Sequence, residues 1–133
     1  MRIYIAGGWF SEEQLKHLVE VEDLVKQTNH KHFAPRTMNL GQDGCDWSFI
    51  FDENIKHLED CDMVVASTVG KDMGTIWECG YGYAKGKTIV YYTPGIARPN
   101  LMLGMSGIVC KTYEELKNLI VNGIYPNELK DFE

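Results

Sequence analysis

Short apolar runs recur along the chain and are separated by amphipathic segments. Residues 2–6 (RIYIA) are β-branched and aromatic and stop at Gly7-Gly8, which predicts a buried strand that ends in a turn. Residues 62–67 give the clearest run of this kind. In all, the pattern predicts strands at residues 2–6, 32–34, 62–67, 88–92 and 107–110.

Amphipathic segments between the strands predict helices. Ser11 and Gln14 have the spacing of a capping box, and the apolar stripe that follows continues to about Gln27. Thr112 and Glu115 have the same spacing, which predicts a second capping box at the start of the last helix.

Two further helices are predicted in the middle of the chain. The first has an apolar stripe of helical period, formed by Trp47, Phe51, Ile55 and Leu58. The second is expected to begin after an Asp72 cap, to continue to about Lys85 and to end at Gly86. The segments 36–45 and 93–105 have the composition of loops.

This alternation of strands and helices predicts one α/β domain over residues 1–133. We expect an open parallel five-stranded sheet with helices on both faces. Ligands of such sheets bind in the crevice at the carboxyl ends of the strands. Here these ends are residues 6–10, 35–39, 68–74 and 93–100.

Composition narrows the choice of partner. The chain has 13 Lys and Arg against 19 Asp and Glu, a net charge of −6, and no basic cluster, which argues against binding of nucleic acid or of an anionic membrane. A small-molecule partner is favoured instead. No apolar run approaches the roughly 20 residues of a membrane span, and the N-terminus has no secretory signal, so we expect a cytoplasmic protein.

The cysteines and histidines do not have the spacing of a metal or redox site. No C-x-x-C pair occurs, so reduced and mostly buried thiols are expected at Cys45, Cys61, Cys79 and Cys110. His30 and His32 would share one face of a strand, but further ligands are lacking near them. We therefore expect no metal site.

The turn Gly7-Gly8-Trp9-Phe10 follows the first strand and borders the crevice. It has neither the G-x-G-x-x-G pattern nor the Lys-Ser/Thr end of a P-loop, so a dinucleotide or triphosphate ligand is not expected. The glycines would let a ligand approach the backbone, and the two aromatic rings could sandwich a planar group. The alternative is that Trp9 and Phe10 pack in the core.

Asp72 and Glu78 belong to one predicted helix. They would converge at the crevice if Asp72 caps the helix and Glu78 faces inward, and paired carboxylates commonly serve glycosidic bond chemistry. Gly80 and Gly82 each cost this helix about 1 kcal/mol relative to Ala, so close packing or function should offset them. The alternative is that Glu78 faces solvent.

Three segments carry a resemblance to a known family. They are residues 3–10 (IYIAGGWF), the run from Asp72 to Lys87 with the pattern D-x-G-T-x-W-E-x-G-Y, and Asn100-Leu101-Met102. In order and spacing they resemble the nucleoside 2-deoxyribosyltransferases, over about residues 3–111. The resemblance implies a flavodoxin-like parallel sheet and cofactor-free transfer of a 2-deoxyribosyl group between nucleobases. It also implies a homo-oligomer whose sites are completed by a neighbouring subunit.

The same resemblance implies roles for individual residues. Glu78 matches the nucleophile that attacks the anomeric carbon, expels the base and forms a glycosyl ester. Tyr4 would hold this nucleophile, and Asp72 would orient the sugar, a role compatible with N-capping. Asn39 would read the edge of the base. Substrate contacts are implied for Gly8, Trp9, Phe10, Asn39, Asn54, Gly74, Asn100 and Met102, the last two in the site of the neighbouring subunit.

Two features depart from the family pattern. Many members carry an aspartate where this chain has Asn54, and an amide cannot supply a proton to the leaving base at neutral pH. Asp52 would point about 200° away around the helix. The tail ends in Asp131-Phe132-Glu133, whereas the family often places a terminal aromatic residue and its carboxylate near a neighbour's site.

Two other functions stay open. The first is hydrolysis of a deoxynucleoside or its 5-monophosphate, in which water resolves the ester. Arg36 and Arg98 lie in predicted crevice loops and could hold a phosphate, although the turn after the first strand has no basic residue. The second is a noncatalytic nucleoside-binding module, which Asn54 favours and the three matching catalytic residues disfavour.

Overall fold

The computed structural model describes residues 1–38 and 46–133. Its centre is an all-parallel, five-stranded sheet with the order β2-β1-β3-β4-β5. The strands are β1 (Arg2–Ala6), β2 (Lys31–Phe33), β3 (Met63–Ser67), β4 (Thr88–Tyr92) and β5 (Ile108–Cys110). The five predicted strands are confirmed to within one residue at their ends.

Six helices are described. They are α1 (Glu12–Lys26), α2 (Pro35–Met38), α3 (Trp47–Asp60), α4 (Met73–Ala84), α5 (Leu101–Ser106) and α6 (Tyr113–Asn122). The four predicted helices α1, α3, α4 and α6 are confirmed.

The sheet separates two apolar layers, because successive side chains of a strand point to opposite faces. Ile3 and Ile5 of β1 belong to the layer covered by α1 and α6. Tyr4 and Ala6 belong to the other layer, which α3, α4 and α5 cover. All residues of the central strand β3 are buried. The predicted helices on both faces are therefore confirmed.

The helix caps follow the sequence closely, with one correction. Ser11 and Gln14 form the complete predicted capping box of α1. At α6 the Thr112 hydroxyl accepts from the Glu115 N–H at 3.1 Å. The Glu115 carboxylate accepts from the Lys111 N–H at 3.2 Å, not from Thr112, so the described contacts form only half of the second capping box.

Two predicted loops contain short helices instead. Pro35 ends β2 and also begins α2, because the first helical position needs no N–H donor and suits the fixed φ of proline. Asn100 begins α5 within the predicted loop 93–105, and its Oδ1 accepts from the Met102 N–H at 2.8 Å. Asn39 and Cys45 lie outside the described residues.

The first half of the apolar stripe predicted for α3 is exposed. Trp47 is 83% exposed and Phe51 is 54% exposed, and Leu58 is the buried residue of this helix. The period of the pattern gives the helix correctly. It does not tell which surface, if any, covers the stripe in a single chain.

The two glycines of α4 have different explanations. A Cβ on Gly82 would lie 3.1 Å from Ile89 Cδ1 and 3.2 Å from Val64 Cγ2, so Gly82 allows α4 to pack closely on the sheet. A Cβ on Gly80 would meet nothing within 4 Å, and no packing contact in the described residues explains this glycine.

The thiols of the described cysteines are free and buried, as predicted for Cys61, Cys79 and Cys110. Burial raises the pKa of Cys79 to about 12, with a further contribution from the nearby Glu78. It also raises the pKa of Cys110 to about 12. No helix among residues 1–38 and 46–133 is long and apolar enough to cross a membrane.

Candidate active site

The strand order places a crevice beside β1. The carboxyl ends of β1 and β3 lie side by side, because Ala6 and Ala66 are paired in these neighbouring parallel strands. The order β2-β1-β3-β4-β5 reverses direction at this point, where open α/β sheets bind their ligands. The turn 7–10 and the loop 68–72 therefore form adjacent walls of one crevice.

Glu78 and Tyr4 meet beneath this crevice. Tyr4 is fully buried in β1, and its hydroxyl donates a hydrogen bond to Glu78 Oε2 from α4. Burial, followed by the charge of Glu78, raises the pKa of Tyr4, so the phenol stays protonated and acts as a donor. Glu78 is partly buried and faces inward, and the alternative of a solvent-facing side chain does not apply.

The environment of Glu78 makes its carboxyl group less acidic than usual. The pKa of Glu78 is raised from 4.5 to about 7, and burial is the main cause. The Tyr4 hydrogen bond acts in the opposite direction, and the charge of Asp72 acts in the same direction as burial. The contribution of Asp72 means that the two carboxylates lie within electrostatic reach of each other. Near neutral pH, Glu78 can therefore exist as carboxylate or acid.

Asp72 is fixed at the start of α4. Its Oδ2 accepts from the Thr75 N–H at 2.9 Å and from the Thr75 hydroxyl at 2.8 Å. Thr75 is buried, so its hydroxyl needs a hydrogen-bond partner within the protein, and the Asp72 carboxylate provides it. The same bond fixes the orientation of the carboxylate. Asp72 is thus an N-cap with a defined orientation.

The turn after β1 packs against Asp72. Gly8 is buried, and a Cβ there would lie 2.7 Å from Gln14 Nε2 and 3.1 Å from Asp72 Cβ. The lack of a side chain at Gly8 is therefore required by neighbouring protein atoms, whatever ligand approaches this turn. Gln14 was predicted only as a capping residue, and its side chain also reaches the loop after β3.

Trp9 and Phe10 form a stacked pair, with ring centroids 5.5 Å apart and planes inclined by 20°. Trp9 is half-buried against the layer under α1, so the core-packing alternative applies to it in part. Phe10 is 77% exposed and does not pack in the core.

Asn54 lies on the face of α3 that the chain partly covers. The helix packs against β1 and α4, and the Asn54 side chain is half-buried. Its Oδ1 is buried and has no hydrogen-bond partner among the described residues. An unpaired buried amide oxygen is costly, and a ligand N–H would satisfy it.

The remaining predicted contacts are less enclosed. Gly74 is exposed. It lies close to Asp72, because a Cβ on Gly74 would be 3.5 Å from Asp72 Oδ2. Asn100 caps α5 and Met102 lies in its first turn, where it is 72% exposed. No described hydrogen bond links Asn100 or Met102 to Tyr4 or Glu78. Asn39 falls outside the described residues.

The two arginines of the predicted crevice loops have partners within the chain. Arg36 makes a bidentate ion pair with the buried Glu22, with Nε 3.0 Å from Oε2 and Nη2 2.5 Å from Oε1. Arg98 Nε lies 3.0 Å from Asp131 Oδ2, and its Nη2 donates to the Phe132 carbonyl at 2.8 Å. Both guanidinium groups thus serve contacts within the protein.

A parallel sheet of this order, with a tyrosine-bound carboxylate at the crevice, defines an α/β protein of flavodoxin-like topology. The family model for nucleoside 2-deoxyribosyltransferase matches residues 3–120, and the chain belongs to this family. The predicted fold class and the resemblance noted from the sequence are thereby confirmed.

Several solved structures are similar to this chain. The 2-deoxyribosyltransferase of Bacillus psychrosaccharolyticus is 28% identical with a TM-score of 0.79, covering 89% of this chain and 91% of that one. A conserved protein of Enterococcus faecalis V583 is 19% identical with a TM-score of 0.75, covering 93% and 99%. The CMP N-glycosidase of Clostridium botulinum is 14% identical with a TM-score of 0.67, covering 93% and 100%. The last two share the fold alone. Among curated proteins, none matches this sequence.

Proposed function

We propose that this protein transfers a 2-deoxyribosyl group between nucleobases by double displacement at Glu78. The observation that carries the proposal is the inward-facing Glu78 carboxyl group, hydrogen-bonded by Tyr4 and within the field of Asp72. Membership of the nucleoside 2-deoxyribosyltransferase family supports the reaction class.

In the first step, an oxygen of ionised Glu78 attacks C1′ of the deoxynucleoside. The C1′–N bond breaks, the base leaves with its electron pair, and a glycosyl ester forms. A 2-deoxyribosyl centre lacks an electron-withdrawing 2-hydroxyl, so its oxocarbenium-like transition state forms more easily. Tyr4 keeps its proton and holds one carboxylate oxygen, which orients the group for attack.

In the second step, a ring nitrogen of another base attacks C1′, and the proton that this nitrogen carried passes to water. The ester C–O bond breaks and returns the Glu78 carboxylate, so that two inversions give net retention. Asn54 can hydrogen-bond a base through its unpaired Oδ1 but cannot protonate it. We therefore expect the leaving base to take up its proton from water.

The substrate is proposed to be unphosphorylated. A 5-phosphate needs a cation, and both arginines of the crevice loops are already paired with carboxylates of the chain. The net charge of −6 also disfavours an anionic ligand.

We further propose that the site is completed in a homo-oligomer. Helix α5 presents Leu101, Met102 and Met105 with exposures of 49%, 72% and 70%. Exposed apolar surface of this kind is typical of an interface. Asn100 and Met102 would then reach the site of a neighbouring copy, and a cytoplasmic location stays a prediction from the sequence.

The test is chromatography of the purified protein with deoxyinosine and, in a separate run, with thymidine, each with and without excess adenine. We expect deoxyadenosine and hypoxanthine when adenine is present, and the Glu78→Gln variant serves as the control. Free deoxyribose that forms at the same rate without adenine would make the protein a hydrolase. No turnover of deoxyinosine or thymidine under either condition would contradict the proposal and favour a binding module.

A further inference from the structure

One side chain joins the two walls of the crevice. Gln14 is 7% exposed, and its Oε1 accepts from the Phe10 N–H at 3.0 Å and from the Ser11 N–H at 3.1 Å. Its Nε2 donates to the Val69 carbonyl at 3.3 Å. The same amide group thus forms hydrogen bonds with the backbone of the turn after β1 and with the backbone of the loop after β3.

Two glycines make room for this side chain, one from each wall. A Cβ on Gly8 would lie 2.7 Å from Gln14 Nε2, and a Cβ on Gly70 would overlap the same atom. Gly70 also has a φ of +79°, which an L side chain rarely adopts. Both backbones therefore close tightly around the Gln14 amide.

The loop held by Gln14 leads directly to Asp72. The Lys71 N–H donates to the Thr68 carbonyl at 3.0 Å, so residues 68–71 form a turn with Val69 and Gly70 at its centre. Gln14 holds this turn at Val69, and Asp72 follows the turn at once. Movement of the turn would therefore move the carboxylate.

We propose that Gln14 is a positioning residue that sets Asp72 relative to the turn carrying Gly8, Trp9 and Phe10. The inference rests on the proposed function, in which these segments bind the sugar and the base. Gln14 itself acts through these segments and touches no reacting atom.

The capping role of Gln14 does not account for the choice of glutamine. A capping box needs only an acceptor at this position, which glutamate also supplies. The bond to the Val69 carbonyl needs a donor, which glutamine has and glutamate lacks at neutral pH. Gln14→Glu therefore keeps the cap and breaks the link between the walls.

The experiment compares Gln14→Glu, Gln14→Met and Ser11→Ala. Ser11→Ala removes the bond from the Gln14 N–H to Ser11 Oγ and leaves the Gln14 amide in place. Gln14→Met has nearly the length of glutamine and adds no charge near Asp72. A misplacement of about 1 Å can cost on the order of 100-fold in rate, so we expect kcat to fall about tenfold or more in both Gln14 variants.

Two readouts separate positioning from lost stability. The acidic limb of the pH–rate profile, which reports Glu78, should stay in place in Gln14→Met while kcat falls. Exchange of the Lys71 N–H should quicken in both Gln14 variants and not in Ser11→Ala, which should keep kcat within about twofold.

A Gln14→Met variant with wild-type kcat and wild-type exchange at Lys71 would overturn the inference. So would a Ser11→Ala variant that loses as much kcat as Gln14→Met. If the wild-type protein turned over no deoxynucleoside, the proposed function would fail, and the link between the walls would be judged on Lys71 exchange alone.

Discussion

Two tyrosine–glutamate hydrogen bonds involve helix α4, one on each side of it. On the inner side, Tyr4 of the sheet donates to Glu78. On the outer side, Tyr81 donates to Glu59 of α3 at 2.9 Å, at the surface. The inner pair is the candidate active site, whereas the outer pair lies between two helices in contact with water.

The two pairs are chemically the same, and their surroundings differ. Burial is the main cause of the raised pKa of Tyr4, whereas the hydrogen bond to Glu59 is the main cause for Tyr81. Water screens the outer pair, and such surface contacts contribute little to stability. The inner pair retains a carboxyl group whose pKa is raised to about 7, and this cost in stability is expected where a group serves a reaction.

The inner and outer pairs should differ most when the charge of each glutamate is removed. Glu78→Gln should lower kcat on the order of 10⁴-fold or more, because the amide cannot form the glycosyl ester. Deoxynucleoside binding, measured by calorimetry, should largely remain. Glu59→Gln is the matched control and should keep kcat within about twofold. Equal activity of the two variants would refute the role of Glu78 as nucleophile.

The next difference concerns the two tyrosines. Tyr4→Phe removes a hydrogen bond that lowers the pKa of Glu78, so the acidic limb of kcat/KM should move to higher pH. At pH 7 we expect a loss of roughly 10- to 100-fold, since fewer Glu78 groups are ionised and the remaining ones are less well oriented. Tyr81→Phe should leave the pH–rate profile unchanged. A limb that stays in place in Tyr4→Phe would mean that the inner hydrogen bond does not tune Glu78.

Stability should also depend on pH through Glu78. Its pKa is raised in the folded state, so the native protein holds a proton that the unfolded chain releases between about pH 4.5 and pH 7. The stabilisation is complete below pH 4.5 and is lost as the pH rises through 7. Relative to Glu78→Gln, the free energy of unfolding should fall by on the order of 2 kcal/mol over this interval, in urea titrations. A constant difference between the two proteins would contradict the shift.

The smallest effects are expected from the glycines of α4. Gly82→Ala places a methyl group against Ile89 and Val64 and should destabilise the protein by roughly 1–3 kcal/mol. Gly80→Ala meets open space and should stabilise it by about 0.5–1 kcal/mol, because alanine favours the helix. Thermal unfolding of both variants measures these changes. If both variants were stabilised, the inner face of α4 would be less tightly packed than described.

Local sequence patterns predict most of this fold. The β-branched runs give the strands, and the spacing of Ser11 with Gln14 gives the start of α1. Helix α5 escapes prediction because six residues are too few for a periodic pattern, although Asn100 after a proline is a possible cap signal. The exposed stripe of α3 escapes for another reason, since periodicity identifies a face and not what covers it.

The candidate site is harder to predict from such patterns. Spacing brings Asp72 and Glu78 onto one helix, but only the packing of α4 on β1 pairs Glu78 with Tyr4. The second role of Gln14 depends on a loop 55 residues away in sequence. The one local sequence feature that indicates this second role is a glutamine, and not a glutamate, at the third position of the capping box.

The buried thiol of Cys79 makes it possible to detect the separation of helix α4 from the sheet. Cys79 sits next to Glu78 and is 1% exposed, and its raised pKa leaves almost no thiolate at neutral pH. An alkylating reagent can therefore reach Cys79 only when α4 separates from the sheet. The rate of labelling at Cys79 would measure how often helix α4 detaches from the sheet, in a protein that carries no added probe.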